Sequence, residues 1–171
     1  YLVENSFFNF CKSEREETPR FMACLINSLA ISSIRMRTDS ITILKNVKKT
    51  YDLIAEDFSK TRNTEWKEFE QFLPHIKDGQ ILADIGCGNG RFFKFILKHK
   101  RISYTGVDSS KRLLKEAKCL NKAGSPKFIY GDILKIPLKP SSQDIVTCIA
   151  VLHHIPTIKL RKKAVKELSR I

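Results

Sequence analysis

The run Asp84-Ile85-Gly86-Cys87-Gly88-Asn89-Gly90 limits the folds open to this chain more than any other segment. It follows an apolar stretch, Ile81–Ile85, short enough for a buried strand, and precedes a helical pattern from Arg91 to Lys98. Glycines at alternate positions suit a backbone that turns sharply and lets a ligand come close. At the carboxyl end of a parallel strand, this is where doubly wound folds bind nucleotides. A dinucleotide fingerprint spaces its glycines G-x-G-x-x-G and sets a pyrophosphate on the helix N-terminus. Here Gly86, Gly88 and Gly90 are spaced G-x-G-x-G instead.

The pattern around this turn alternates strand and helix. Ser103–Val107 reads as a second strand ending at Asp108, with Ser109 or Ser110 able to cap a helix over Lys111–Leu120. Phe128–Tyr130 reads as a third strand followed by Gly131-Asp132, and Asp144–Val151 as a fourth. A loop carrying His153 and His154 leads to a helix over Lys159–Ile171, with Thr157 a possible cap. Such alternation indicates an α/β fold with a parallel sheet covered by helices on both faces. Upstream, Val47, Tyr51, Ile54, Ala55 and Phe58 recur at helical spacing; Ser59–Thr64 reads as a polar connector and Trp66–Leu73 as a second helix ending near Pro74. Residues 1–46 show no alternation and no chemistry; Phe21–Ile34 could form a short apolar helix there.

Two acids sit where a nucleoside would need them. Asp108 lies 18 residues beyond Gly90, near the spacing expected of an acid that accepts from ribose hydroxyls; a helix cap is the other reading. Asp132, at the end of the third strand, is placed to accept from an adenine amino group, or else closes the turn after Gly131.

Charge and cysteines narrow the setting. The formal net charge is +13. Residues 1–46 hold 6 basic and 5 acidic residues, whereas residues 47–171 hold 25 and 13. The positive field therefore belongs to the α/β part and favours a polyanionic partner, RNA foremost, unless it is only a lysine-rich solvated surface. Five cysteines, Cys11, Cys24, Cys87, Cys119 and Cys148, include no C-x-x-C pair, so neither a zinc site nor a disulfide framework is expected, and a reducing cytoplasm fits. No apolar run reaches the roughly 18–20 residues of a membrane span, and Glu14, Glu16 and Glu17 argue against a transit peptide. The chain begins at Tyr1 and ends at Ile171 inside a helical pattern with no stop signal, so both ends are expected to be cut.

Four segments together resemble motifs of the class I S-adenosylmethionine-dependent methyltransferases: Asp84–Gly90, Gly106-Val107-Asp108-Ser109-Ser110, Gly131-Asp132-Ile133, and Ile149-Ala150-Val151-Leu152-His153-His154. A narrower likeness lies in Tyr51-Asp52-x-Ile54-Ala55-x-x-Phe58-Ser59-x-Thr61-Arg62 with Trp66, joined to the double histidine. This resembles the eukaryotic tRNA wobble-uridine carboxymethyl methyltransferases, including the methyltransferase domain of the AlkB-homologue tRNA enzyme. The likeness covers roughly residues 47–171, taken as the cofactor-binding part of a methyltransferase domain, and leaves 1–46 as an extension of unassigned role.

The resemblance implies a Rossmann-like fold, S-adenosylmethionine as cofactor, and methylation of a carboxymethyl uridine in tRNA to a methyl ester. It implies that the run from Asp84 through Gly86, Cys87, Gly88 and Gly90 is the cofactor loop, that Asp108 holds the ribose, and that Asp132 lies at the adenine. Arg62 is similar to the arginine expected near the methionine carboxylate or the acceptor; a surface ion pair is the plainer reading. One of His153 and His154 would contact the acceptor or shape its loop, and one could pack as a neutral core histidine. Tyr51 and Trp66 could stack on a base or pack in the helix core. A carboxylate acceptor is already ionised at neutral pH and needs no general base. Two rival functions share these features: a methyltransferase for a small molecule or protein, with His153 or His154 as base, and a scaffold that binds the cofactor or RNA without catalysis. The third strand, Lys127–Tyr130, is expected at a sheet edge. The resembled tRNA enzymes dock a small zinc-binding activator protein there, whereas Pro126 and Lys127 could simply blunt the edge.

Overall fold

The computed structural model describes the backbone of Met22–Leu25 and residues 39–62, 64 and 66–171. Its centre is a parallel sheet of five strands: β1 (Met22–Leu25), β2 (Ile81–Ile85), β3 (Ser103–Asp108), β4 (Lys127–Tyr130) and β5 (Ile145–Ile149), in the order β1-β5-β2-β3-β4. Among the described residues four α-helices accompany it: α1 (Ser40–Thr61), α2 (Arg91–Ile96), α3 (Lys111–Leu120) and α4 (Ile158–Arg170), with 3-10 turns at Lys67–His75 and Leu152–His154. This is the expected α/β architecture. Among the described residues no helix is long and apolar enough to cross a membrane.

Period-two alternation divides the core. Leu82 on β2 and Tyr104 on β3 face a layer rich in aromatics, with Phe69, Phe72, Phe92, Phe93, Phe95 and Phe128. Ala83, Ile85, Val107, Val146 and Cys148 face the other layer with Leu152, Ile155, Ala164 and Leu168. The Lys67–His75 segment was expected as an ordinary helix ending near Pro74, and it ends there. It winds as a 3-10 helix through Pro74 and lays Phe69 and Phe72 on Phe92 at ring-centroid distances of 5.1 and 5.4 Å.

Two other expectations change. Helix α1 begins at Ser40 and runs through Thr61, so much of the expected connector is its last turn. The helix lies along α3 and buries Ala55 and Ser59, and that tertiary contact carries it past its apolar repeat. Within Phe21–Ile34, Met22–Leu25 form a strand rather than a helix, pairing parallel with Val146–Ile149. The outer edge of β5 presents unpaired backbone groups, and a four-residue apolar segment satisfies them; the rest of that stretch, like Glu14, Glu16 and Glu17, lies outside the described residues.

Asp84 ties the middle of the sheet. It is 2% exposed, accepts from Tyr104 Oη on β3 at 2.7 Å and from Thr147 Oγ1 on β5 at 2.9 Å. Burial pushes its pKa up to about 6 despite both bonds. An unfolded aspartate titrates near 3.9, so between these values the folded chain holds a proton that the unfolded chain has lost. The contribution is fully present below about pH 4 and is gone above about pH 6. Replacement by asparagine removes the ionisation. Urea unfolding at several pH values should therefore show wild type losing up to about 3 kcal/mol relative to Asp84→Asn between pH 4 and 7. A difference that does not vary with pH would contradict this.

Candidate functional site

The glycine loop leaves β2 at the carboxyl end of the sheet. Gly86, Gly88 and Gly90 have φ values of 80°, 56° and 76°, the left-handed region that side chains disfavour. Their surroundings differ. A Cβ on Gly86 would collide with Val151 Cγ2, whereas one on Gly88 would meet only Phe58 Cε1, at 3.7 Å. On Gly90 it would strike Asn121 and Phe128 at 2.6 and 2.9 Å. Gly86 and Gly88 are partly exposed; Cys87, Asn89 and Gly90 are buried. The open stretch of the loop is thus Gly86–Gly88. Gly90 serves packing and the entry into α2.

Asp84 and Cys87, expected in the cofactor loop, point away from its open side. Asp84 is buried between strands, because its parity on β2 matches Leu82. The Cys87 side chain turns down beside Gly106, where a Cβ would stand 2.8 Å from Sγ. Burial holds its thiol well above the ordinary range, so it is no nucleophile.

The loop's own hydrogen bonds bear on what it can hold. The N–H groups of Gly86 and Cys87 both donate to Val107 O, at 2.7 and 3.1 Å, and that of Gly90 donates to Cys87 O at 3.0 Å. Gly88 N–H donates to Asp108 Oδ2 at 2.9 Å. A pyrophosphate would need such donors turned outward, so the loop suits a ligand without phosphate. The other Asp108 oxygen accepts from Ser110 N–H at 2.8 Å. Asp108 therefore takes the cap role, tying the glycine loop to the start of α3, and keeps some acceptor capacity beyond these bonds. Burial raises its pKa, opposed by the bonds from Ser110, Gly88 and Ser109. Asp132 is exposed, and its Oδ1 accepts from Leu134 N–H at 2.8 Å, the turn role.

Helix α1 spans the open side. Asp52 Oδ1 accepts from Ser110 Oγ at 2.6 Å, and Phe58 faces Gly88. Arg62 lies over the Phe58 ring at 4.3 Å. It shares a small hollow beside the loop with Asn89, Arg91, Lys94, Leu120 and Asn121. Arg91 was not singled out by its sequence context. It stands on Trp66 at 4.6 Å, and its pKa is lowered by burial and then by Arg62. Trp66 and Tyr51 are therefore used within the protein rather than as open stacking platforms.

The double histidine closes the other side. Tyr51 Oη and His154 Nε2 share a hydrogen bond of 2.9 Å, and the two imidazoles lie 4.0 Å apart by centroid. Burial lowers the pKa of both; Arg161 adds to this at His153, and His153 adds to it at His154. Both are neutral at physiological pH. His153 Nδ1 is buried without a hydrogen-bond partner. At the end of β5, Ala150 takes φ 55°, a conformation that costs a non-glycine residue about 1–2 kcal/mol. That turn seats Val151 on Gly86. Nothing in the sequence signalled this contact.

A family described as methyltransferase domain matches residues 83–171. A tRNA (carboxymethyluridine(34)-5-O)-methyltransferase of Arabidopsis thaliana is 31% identical over 169 residues, covering 99% of this chain and 40% of that protein. The enzyme of the same name from Schizosaccharomyces pombe is 34% identical over 124 residues, covering 72% of this chain and 51% of that protein. The chain thus spans about half or less of these relatives. Among solved structures, the complex between the Haloferax volcanii Trm112 methyltransferase activator and a putative methyltransferase superposes with TM-score 0.64 at 20% identity, covering 73% of this chain and 55% of that one. A putative S-adenosyl-L-methionine-dependent methyltransferase from Methanococcus maripaludis gives 0.56 at 19%, covering 83% and 63%.

The two partly exposed glycines, Gly86 and Gly88, should respond differently to a methyl group. Gly86→Ala meets both a disallowed φ and Val151, whereas Gly88→Ala meets the φ cost alone. Thermal unfolding should show Gly86→Ala losing at least about 2 kcal/mol more than Gly88→Ala. Equal losses would remove Val151 as the cause.

Proposed function

The chain belongs to the methyltransferase domain family, and from that premise we propose that it transfers a methyl group from S-adenosylmethionine to the carboxylate of a carboxymethyl-modified wobble uridine in tRNA. The observation that carries this reading is the Tyr51–His154 hydrogen bond. It joins the two segments, Tyr51–Arg62 and Ile149–His154, that liken this chain to carboxymethyl uridine enzymes. They lie about a hundred residues apart and meet beside the glycine loop. The identity to the Arabidopsis and fission yeast enzymes supports the same acceptor.

When bound, S-adenosylmethionine supplies an electrophilic methyl on a cationic sulfur. The chain's residues hold and orient. Asp108 accepts from the ribose hydroxyls, and Gly86–Gly88 let the backbone approach. Arg62, fixed over Phe58, offers a guanidinium fork to a carboxylate. Asp132 keeps acceptor capacity for the adenine amino group beyond the bond it makes in its turn. The acceptor carboxylate is ionised at neutral pH, so no base has to be created. His153 and His154, held neutral by burial, shape the acceptor loop without adding charge. Helix α1 and the histidine loop exclude water, which strengthens each of these contacts.

Strand β4 is the outermost strand on its side of the described sheet. Phe128 packs inward and Tyr130 stays 50% exposed. This edge is the proposed seat of a small zinc-binding activator, which pairs backbone to backbone and covers Tyr130. The superposition on a methyltransferase solved with the Trm112 activator supports it.

Asp108→Ala should weaken S-adenosylmethionine binding about 5- to 150-fold by calorimetry, from the loss of about 1–3 kcal/mol, and Cys87→Ala should weaken it far less. Equal affinities would end the Asp108 assignment. Wild type should incorporate labelled methyl into total tRNA from a strain lacking the ester; incorporation only into small acceptors would favour another substrate, and binding without transfer a scaffold. Co-expression with the host's activator homologue should raise solubility and give co-purification. An unaided protein of full activity would exclude the partner.

A further inference from the structure

Helix α4 carries its charges against its own dipole. A helix N-terminus holds partial positive charge and favours acids in the first turn. Helix α4 has none there; Lys159, Arg161, Lys162 and Lys163 crowd its first half, and Glu167 is its one acid. Thr157 caps it, its Oγ1 accepting from Leu160 N–H at 3.3 Å.

Two of its basic residues are committed to the fold. Arg161 Nε donates to Ile155 O at 2.8 Å. Arg170 donates to Glu167, Ile136 O and Leu138 O, and Glu167 also accepts from Ile136 N–H. That leaves Lys159, Lys162, Lys163 and Lys166, spaced i, i+3, i+4 and i+7. They share one face, opposite the buried Ala164 and Leu168, and all four are exposed. Lys163 is close enough to Glu167 to lower its pKa, but Glu167 is held by Arg170, and among the described residues none of the four lysines is in an ion pair. The row spans about 10 Å. It starts five residues beyond His154.

We infer that this lysine face of α4 is the docking surface for the phosphate backbone of the acceptor RNA. The inference rests on the tRNA reading above. Unpaired cations at an unfavourable helix end lower the stability of the free protein, and a polyanion laid along them reverses that effect. The basic residues of α3 are a poorer match: Glu116 lies among Lys111, Lys115 and Lys118, and α1 packs along that helix.

The test is binding of total tRNA by the chain over about 50–300 mM salt, where each lysine–phosphate contact adds about 0.7–0.9 to the slope of log affinity against log salt. The variant K159Q/K162Q/K163Q/K166Q is compared with the same four lysines changed to arginine, with a K115Q/K118Q control on α3, and by thermal midpoint. The glutamine variant should lose about 3–4 from the slope if all four lysines meet phosphates, while the arginine variant and the control keep it. An unchanged slope in a wild type that binds tRNA, or an equal loss in the control, overturns the α4 surface and leaves the tRNA reading intact. A wild type that binds S-adenosylmethionine but shows no salt-dependent tRNA binding overturns both.

Discussion

Three strands meet on one carboxylate. Asp84 on β2 accepts from Tyr104 on β3 and Thr147 on β5, and the glycine loop starts two residues later. A carboxyl group this deep is tolerated only with its acceptors satisfied, and losing either donor would leave a buried polar atom unpaired. The two bonds therefore specify register. A slip of one residue would turn Asp84 to the aliphatic layer and Ala83 to the aromatic one. With register set, the carboxyl ends of β2, β3 and β5 lie together. Asp108 and the double histidine then flank the same loop.

Above that anchor, contacts leave little room. Val151 rests on Gly86, Cys87 beside Gly106, and Asn121 and Phe128 against Gly90. The glycine loop and the histidine loop share a van der Waals surface at Gly86–Val151, reached through the strained turn at Ala150. Strain held by dense packing at such a position is a common feature of functional sites. Helix α1 adds a second link between the sides, because Asp52, Phe58 and Tyr51 touch α3, the loop and His154 in turn.

The electrostatics divide by depth. Deep groups are neutral or shifted toward neutrality: Asp84 titrates near pH 6, the Cys87 thiol is far above its ordinary range, and both histidines are below theirs. Fixed cations stand at the rim, with Arg62 on Phe58 and Arg91 on Trp66. For the proposed carboxylate acceptor, such a site offers cations at its entrance and walls that neither repel the acceptor nor protonate it.

Local pattern carried much of this. The glycine run, the acid 18 residues beyond Gly90, and the switch between strand and helix periods depend on neighbours in the chain, so they were legible in residue order. So was the outer position of Lys127–Tyr130, through the family resemblance. What stayed hidden depends on separation in space. Whether Asp84 or Gly88 faces a ligand turns on strand parity within an assembled sheet. The pairing of Tyr51 with His154, the seating of Val151 on Gly86 and the role of Arg91 join residues that no local window contains. The addition of Met22–Leu25 as a strand depends on a vacant edge that exists only once β5 is in place. By itself, then, the sequence determined the α/β fold and the conformation of the glycine loop, because backbone conformation and periodicity are local. Which side chains meet the ligand and which support the sheet was decided by tertiary structure alone, because burial is a property of the packed whole.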